Sequence, residues 1–490
     1  MLGFLLISLR APVWYDEANY LTLARSIRDT GYPIWFWVPD RPQLFVNSPP
    51  VLLYFIAFLT KWVSSDVVTL RIVFAALFGL APLLLLASRA PKNGGSLFAV
   101  AIAATFAACS GFFLMELIQL RMDLALAGES CIAVMLFVAA TCPAQTDRPL
   151  VALVLLFGIS ALAIVTKYQA VCLTAALVVD AALAWFLSGR RSVPWAALFA
   201  HLAGVATGLV VLSLWASHSD VGAGTAALSG AVNANIFDRI LPRGHLAGEV
   251  VTLANVAKRV VAMTAIPLTM VAIASALGRI DWRENLLRLF VVLAAVVAAF
   301  NLAVYRLPGA GDFYLVQAAI PLGYVLGRSI ESLLGLSRSC AAVRVLAPVL
   351  IAHAVLNVPP VTRAIQPKVD RAIAEEIAPS LHPDDVLLLG DETQSRAIPY
   401  WLQRHDRYGY LFYMGAAEAA DLLQRDGAGK VAAMVLPDGS SAKLMTPEWS
   451  KAAAVIEREF SLMPQTADTH GQQVYLRRSG GDVSNGRAAN

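Results

Sequence analysis

Charge is scarce in this chain. Of 490 residues only 15% are Asp, Glu, Lys or Arg, against 58% hydrophobic, where soluble domains carry roughly 25% charged residues. That deficit excludes an ordinary soluble enzyme. Apolar runs of about 20 residues recur along the chain, the composition of a polytopic membrane protein. The net charge is only +4 and the basic residues are spread among loops; with no basic stripe, no nucleic-acid partner is expected. Cysteine is rare too. There are five, Cys109, Cys131, Cys142, Cys172 and Cys340, all in or beside apolar segments, where they read as small hydrophobes. None lies after residue 340, so the C-terminal third has no disulfide framework. Phosphate loops, glycine-rich dinucleotide fingerprints and zinc-type cysteine pairs are missing as well. No cofactor is therefore assigned, and a divalent-metal requirement is left open. No internal repeat is found.

What the chain does have is apolar helices. The opening "MLGFLLISLR" offers only about nine apolar residues where a span needs about 20. It lacks a small-x-small cleavage site and reads as the end of an incomplete first helix. Further spans are expected at 67–88, 96–115, 123–140, 149–166, 168–187, 195–216, 257–277, 286–304, 312–330 and 341–357, about eleven in all. The stretch 49–63, "PPVLLYFIAFLTKWV", is shorter than a span and reads as an interfacial helix. The loops "SRAPKNGG", "TCPAQTDR", "SGRRSVP", "GRIDWREN" and "GRSIESLLGLSRS" alternate along the chain and all carry Lys or Arg. Placing them in the cytoplasm of a bacterial inner membrane puts the N-terminus inside. It exports 10–66, 217–256, 305–311 and everything beyond about 358 to the periplasmic side.

The last third differs in kind. "DVLLLGD" (385–391), "KVAAMVLPDG" (430–439) and "QQVYLRR" (472–478) read as strands, with helical patterns at 395–405, 416–426 and 449–460 between them. The division expected is a transmembrane catalytic unit over 1–357, with 10–66 as its first exported loop, a small α/β domain over 358–480, and a disordered tail at 481–490.

The exported first loop carries the chemistry. In "VWYDEANYLTLAR" (13–25), Asp16 and Glu17 open a helix that Gly31 ends. Neighbours in sequence point about 100° apart on a helix, so the two acids do not face each other. The ordinary structural reading makes Asp16 an N-cap and Glu17 a partner of the helix dipole. Two features favour function. Aromatics flank the pair (Trp14, Tyr15, Tyr20, Tyr32, Trp35, Phe36, Trp37), and these suit an interface or a sugar platform. In addition, Arg71, Arg121, Lys167, Lys258, Arg259 and Arg306 all fall at the outer ends of spans, against the positive-inside bias. Gathered together, such cations suit a lipid-linked phosphate beside a general base; separately, each would snorkel to a headgroup. Glu129 and Asp180, inside apolar helices, are expected to pair with buried polar groups.

The order "WYDEANYLTLAR", "NSPPVLLYF", "LRIVFAALFGLAPLLLLASR", "LIQLRMDLALA", "VTKYQAVCLTAALV" and "GDFYLVQAAIPL" resembles the GT-C superfamily of glycosyltransferases. The nearest groups are the dolichyl-phosphate-mannose protein mannosyltransferases and the bacterial lipid A aminoarabinose transferases. The resemblance covers roughly 10–330. It implies a polyprenyl-phosphate sugar donor and a lipid, glycan or protein acceptor on the non-cytoplasmic side. It makes Asp16 the catalytic base, with Glu17 orienting acceptor or helix. It implies donor contacts from Arg71, Arg121 and Lys167, with Asp123 and Tyr314 as further pocket residues. Asn47-Ser48 stands where many relatives place a basic or His residue before the Pro-Pro pair, a contact that Lys258 and Arg259 would replace. Arg306 would stand in for an Arg missing before Tyr314. Since the leaving group is a phosphate stabilised by cations, one carboxylate suffices, unlike the two-acid hydrolases. The competing reading is a transporter or flippase of a lipid-linked anion, which should show repeats and midplane charge.

Overall fold

The computed structural model describes residues 13, 15–39, 41–46, 48–89, 96–117, 119–141, 148–187, 194–219, 246–282, 284–303, 315–334, 347–348, 350–354, 369–390, 397–404, 406–427, 429–437, 440–463 and 472–478. Among these, seven helices are long and apolar enough to cross a membrane. They are α3 (Val67–Arg89), α6 (Met122–Thr141), α7 (Pro149–Thr166), the segment Tyr168–Phe186 containing α8 (Val171–Leu187), α9 (Trp195–Ser217), the Val256–Ala276 part of α10 (Leu246–Ala276) and α11 (Asn285–Ala303). Each coincides with an expected span. Elsewhere the described helices are shorter or more polar. The stretch read as a span at 96–115 breaks at Ser110 into α4 (Leu97–Cys109) and α5 (Gly111–Leu117). The late span expected at 312–330 falls on α12 (Val316–Leu334), which is not one of the seven, and the expected first helix lies outside the described residues. The segment 49–63 forms α2 (Val51–Trp62), 12 residues or about 18 Å, too short for a core of about 30 Å.

Local chemistry explains the helix ends. Asp66 caps α3 by accepting from the Thr69 N–H at 2.9 Å, and Ser96 caps α4 through the Ala99 N–H at 3.2 Å. Within α3 the turn Ala75–Leu80 is a π-helix. Two Gly-x-x-x-Gly pairs set close helix crossings. A Cβ on Gly323 or Gly327 of α12 would lie 2.7 Å from the Cα of Ala103 or Ala99 on α4. Gly204 and Gly208 of α9 meet the backbone of α7 in the same way, with Phe157 O and Ala161 O at 2.3 and 2.7 Å from the added carbon.

The first loop carries more secondary structure than its sequence suggested. Helix α1 (Tyr15–Thr30) leads into an antiparallel hairpin, β1 (Ile34–Val38) and β2 (Arg41–Leu44). The C-terminal region forms a five-stranded sheet in the order β4-β3-β5-β7-β6. Its members are β3 (Val386–Leu389), β4 (Tyr408–Tyr410), β5 (Val431–Pro437), β6 (Phe460–Leu462) and β7 (Gln472–Arg477). β3 runs parallel to β4 and β5, while β7 is antiparallel to β5 and β6. Helices α13 (Val369–Ile377), α14 (Ile398–Trp401), α15 (Ala416–Leu423), α16 (Ser440–Leu444) and α17 (Ser450–Glu459) accompany it. The three strands expected from sequence are β3, β5 and β7; β4, β6 and the β1–β2 hairpin were not.

One face of this sheet shares a core with the first loop. Leu387, Tyr408, Tyr410, Ala433 and Val474 pack in one cluster with Leu21, Leu23, Trp35, Phe45, Leu53 and Ile56. The Trp35 ring lies between Phe45, 5.4 Å away, and Tyr410, 6.2 Å away. Gly409 admits this contact: a Cβ there would sit 2.2 Å from Cδ of Pro39. Arg25 of α1 donates to the Tyr400 carbonyl of α14 at 3.1 Å and lies over the Tyr400 ring. The first loop and the C-terminal sheet are therefore on one side of the bundle, joined by a continuous apolar core.

Candidate active site

Helix α1 begins at Tyr15, so Asp16 is not the N-cap that the sequence suggested. Asp16 and Glu17 both sit in the first turn, where the positive end of the helix dipole favours carboxylates. Their roughly 100° separation sends them to different partners. Glu17 is fully buried and takes a two-pronged ion pair from Arg71 of α3, with Nε–Oε1 at 2.7 Å and Nη2–Oε2 at 2.5 Å. The backbone N–H of Leu120 donates to the same carboxylate at 3.2 Å. Arg71, expected to meet the donor phosphate, is itself 3% exposed and engaged by Glu17. These two residues tie α1 to α3 behind the site.

Asp16 faces the other way. Nη2 of Arg121 donates to its Oδ2 at 3.0 Å, and Nη1 of the same guanidinium lies 3.2 Å from Oε1 of Glu116. Arg121 therefore stands between two acids. Lys167, at the end of α7, is paired with Asp123 in the first turn of α6. Tyr20, one turn after Asp16 on the same helix face, is buried and senses Asp16, Arg121, Asp123 and Glu116. The break at Ser110 makes this gathering possible. It ends α4 early, so that α5 and the turn after it bring Glu116 and Arg121 back beneath α1.

Exposure separates the roles. Side chains of Asp16 and Lys167 are 17% and 14% exposed, whereas Arg121 and Asp123 are 4% and Glu116 is 0%. Asp16 is thus the most solvent-open acid of this group. Burial pushes the Glu116 carboxyl up to about 8, Arg121 opposing the rise. Burial pulls the Arg121 guanidinium down, but Glu116, Asp16 and Asp123 outweigh it and hold it above its ordinary value. Burial, aided by Asp16, keeps the Tyr20 hydroxyl well above its ordinary range. At neutral pH Glu116 is then mostly a neutral acid, and Asp16–Arg121, Asp123–Lys167 and Glu17–Arg71 are three balanced pairs. The surplus of cations read from the sequence is not present among them: each of Arg71, Arg121 and Lys167 already faces a carboxylate.

Lys258 is exposed and Arg259 half-buried on α10. Arg306 and Tyr314 fall outside the described residues. Glu129 accepts from Thr166 at 2.9 Å, and Asp180 is held by Arg288 at 2.7 Å, the buried partners expected of them. Sequence reasoning named Tyr20 only as one of the flanking aromatics and missed Glu116. The i, i+4 spacing of Asp16 and Tyr20 was available. Glu116 lies at the outer end of an expected span, the position that had singled out the cations. Among the described residues no three His, Cys, Asp or Glu side chains are placed to hold a metal. Asp16, Glu17 and Asp123 are turned toward cations, an arrangement that does not fit a metal site.

At the level of sequence, no family model and no curated protein matches the chain. Solved structures do. ArnT from Cupriavidus metallidurans, bound to undecaprenyl phosphate, superposes with a TM-score of 0.66 at 15% identity, covering 98% of this chain and 97% of that one. The Archaeoglobus fulgidus oligosaccharyltransferase, in complex with Zn and sulfate, gives 0.57 at 13% identity, covering 97% of this chain and 72% of that one. Arabinofuranosyltransferase AftD from Mycobacteria gives 0.53 at 15% identity over 97% of this chain and 41% of that one. This chain therefore shares its fold with these three glycosyltransferases, over nearly its whole length.

Proposed function

We propose that this protein is a membrane glycosyltransferase that moves a sugar from a polyprenyl-phosphate donor to a lipid, glycan or protein acceptor of the cell envelope. The reaction takes place on the periplasmic face of the inner membrane. The observation that carries the reading is the placement of Asp16, a partly exposed carboxylate oriented by Arg121 at 3.0 Å, at the end of the bundle covered by the first loop and the C-terminal sheet. Likeness to a fold whose member ArnT was solved bound to undecaprenyl phosphate supports the donor class.

In this reading the acceptor oxygen attacks the anomeric carbon as the carbon–oxygen bond to phosphate breaks. The bonding pair leaves with the lipid phosphate. Asp16 takes the acceptor's proton, and Arg121 holds the carboxylate at the angle this requires. Attack opposite the leaving group inverts the anomeric centre. The Asp123–Lys167 pair borders the same group and offers the other partly exposed charge, the ammonium of Lys167, to the leaving phosphate. The buried Glu17–Arg71 pair positions α1. Lys258, Arg259, Arg306 and Tyr314 are further donor contacts in this proposal.

The test is Asp16→Asn in the full-length protein in nanodiscs, with labelled polyprenyl-phosphate sugars and membrane-envelope acceptor extracts. Transfer should fall by about 100-fold or more while thermal stability is kept. Undiminished transfer would overturn the base assignment. Orientation is tested by cysteine labelling at exposed Gln43, which should react from the periplasm only.

A further inference from the structure

The end of α5 and the residues just after it bury more polar capacity than the described residues use. Neither carboxyl oxygen of Glu116 makes a hydrogen bond among the described residues, although Arg121 stands 3.2 Å away. Three residues on, both the oxygen and the nitrogen of the Gln119 amide are also without a hydrogen bond. Both side chains are buried, Glu116 at 0% and Gln119 at 1%. Leaving a buried polar group unmet costs about 1–3 kcal/mol each, so two on one turn point to a ligand that completes them. The backbone of this turn is pinned rather than loose: the Leu120 N–H bonds Glu17, and the Arg121 N–H bonds the Gln119 carbonyl at 3.1 Å.

We infer that Glu116 and Gln119 form a subsite that reads the hydroxyl groups of an uncharged sugar ring held next to Asp16. The inference rests on the glycosyltransferase reading and specifies the chemistry of the transferred group. A neutral carboxyl carries one O–H donor and a free acceptor, and an amide carries two N–H donors and an acceptor. Their natural complement is a group that both donates and accepts, which is a hydroxyl. An ammonium only donates and a carboxylate only accepts, so either would leave half of this capacity unmet. Charge agrees. With Glu116 neutral, Asp16, Asp123, Arg121 and Lys167 cancel in pairs. A charged ring substituent would meet no surplus of the opposite sign among them. The elevated titration of Glu116 supports its neutral form; the missing partners and the burial are what point to a ligand.

The experiment is donor binding to the full-length protein in nanodiscs, by displacement of a fluorescent polyprenyl phosphate. The probes are undecaprenyl phosphate itself, undecaprenyl-phosphate hexoses and pentoses with neutral rings, the singly deoxygenated forms of the tightest of these, and the form in which one hydroxyl is replaced by an amine. Wild type should bind the tightest neutral sugar better than bare undecaprenyl phosphate. It should lose about 10- to 100-fold on removal of one or two particular hydroxyls, and lose at least as much for the amine at that position. In Gln119→Leu and Glu116→Leu the deoxy penalty should shrink to within about threefold, whereas Glu116→Gln, which keeps donor and acceptor, should retain it. Equal binding of bare and sugar-bearing lipids, or a deoxy penalty unchanged in both leucine variants, overturns the subsite. A preference for the amine-bearing ring overturns its neutral-sugar assignment. Failure of every probe, bare lipid included, would instead count against the glycosyltransferase reading. If a leucine variant does not fold, Gln119→Glu and Glu116→Gln in the same assay decide, since the first should alter which hydroxyl is read and the second should not.

Discussion

Replacing Glu17 by Gln tests whether the Asp-Glu pair divides its labour between chemistry and architecture. Glu17 is 0% exposed, and among its hydrogen bonds are two from the Arg71 guanidinium and one from the Leu120 N–H. The amide keeps the shape and can still accept from Leu120. It leaves the Arg71 charge, 3% exposed, without the carboxylate that balances it. Two charge-assisted bonds contribute roughly 1.5–3 kcal/mol each, and breaking one side of a buried pair costs about 3–5 kcal/mol. The single variant should therefore lose about 3–5 kcal/mol of stability. Arg71→Met alone should cost a similar amount, since it strands the carboxylate. Glu17→Gln with Arg71→Met removes both charges and keeps an acceptor for the Leu120 N–H, leaving the buried amide N–H groups as the main cost, about 1–3 kcal/mol. A double-mutant cycle by denaturant unfolding in mixed micelles should then show a coupling of about 3 kcal/mol or more. Additive effects would refute the reasoning. So would a Glu17→Gln protein of undiminished stability whose transfer activity alone is lost, because Glu17 would then belong to the chemistry.

Further outcomes follow from the same coordinates. Glu116 titrates at about 8 when folded, above its usual 4.5. Below about 4.5 folded and unfolded chains both hold the proton. Between the two values only the folded chain keeps it, so its contribution to stability drains away as pH rises and is gone above about 8. Glu116→Gln should thus be the more stable protein at pH 8.5 and lose that advantage by pH 5, with a difference on the order of a few kcal/mol, read from thermal midpoints. A pH-independent difference would argue against a buried neutral acid. Trp35→Ala empties the slot between Phe45 and Tyr410 and should cost about 3–5 kcal/mol, seen as faster limited proteolysis of the C-terminal region. Gly323→Leu drives side-chain atoms into Ala103 and should lower the monodisperse yield, while the same change at open Gly158 should not. Arg121→Lys keeps the charge but not the fork that spans Asp16 and Glu116; transfer should fall at least tenfold with little change in folding.

Much of the architecture was legible before any coordinates. Long apolar helices announce themselves because each must bury its own backbone polar groups in lipid, and seven expected spans coincide with described helices. Strands β3, β5 and β7 were visible as short apolar runs between turn residues. β4 and β6, three residues each, carry too little pattern to read. The β1–β2 hairpin was hidden by its aromatics, which suit an interface as well as a strand. Helix α4 was overextended because hydropathy passes smoothly through Ser110, where the backbone turns out of the helix.

The sequence by itself determined that the chain lives in a membrane, that Asp16 and Glu17 open a helix of the first loop, and that they point apart. These follow from composition and from the 100° step of the α-helix, which are local. Only the tertiary structure decided which acid does what. Arg71 lies 54 residues from Glu17 and Arg121 lies 105 from Asp16, and no local rule chooses between two cations at such separations. The packing of α1 on α3, and the break at Ser110 that returns Glu116 and Arg121 to the site, make that choice. They turn what read as a surplus of cations into balanced pairs, leaving Asp16 reachable and Glu116 buried beside it.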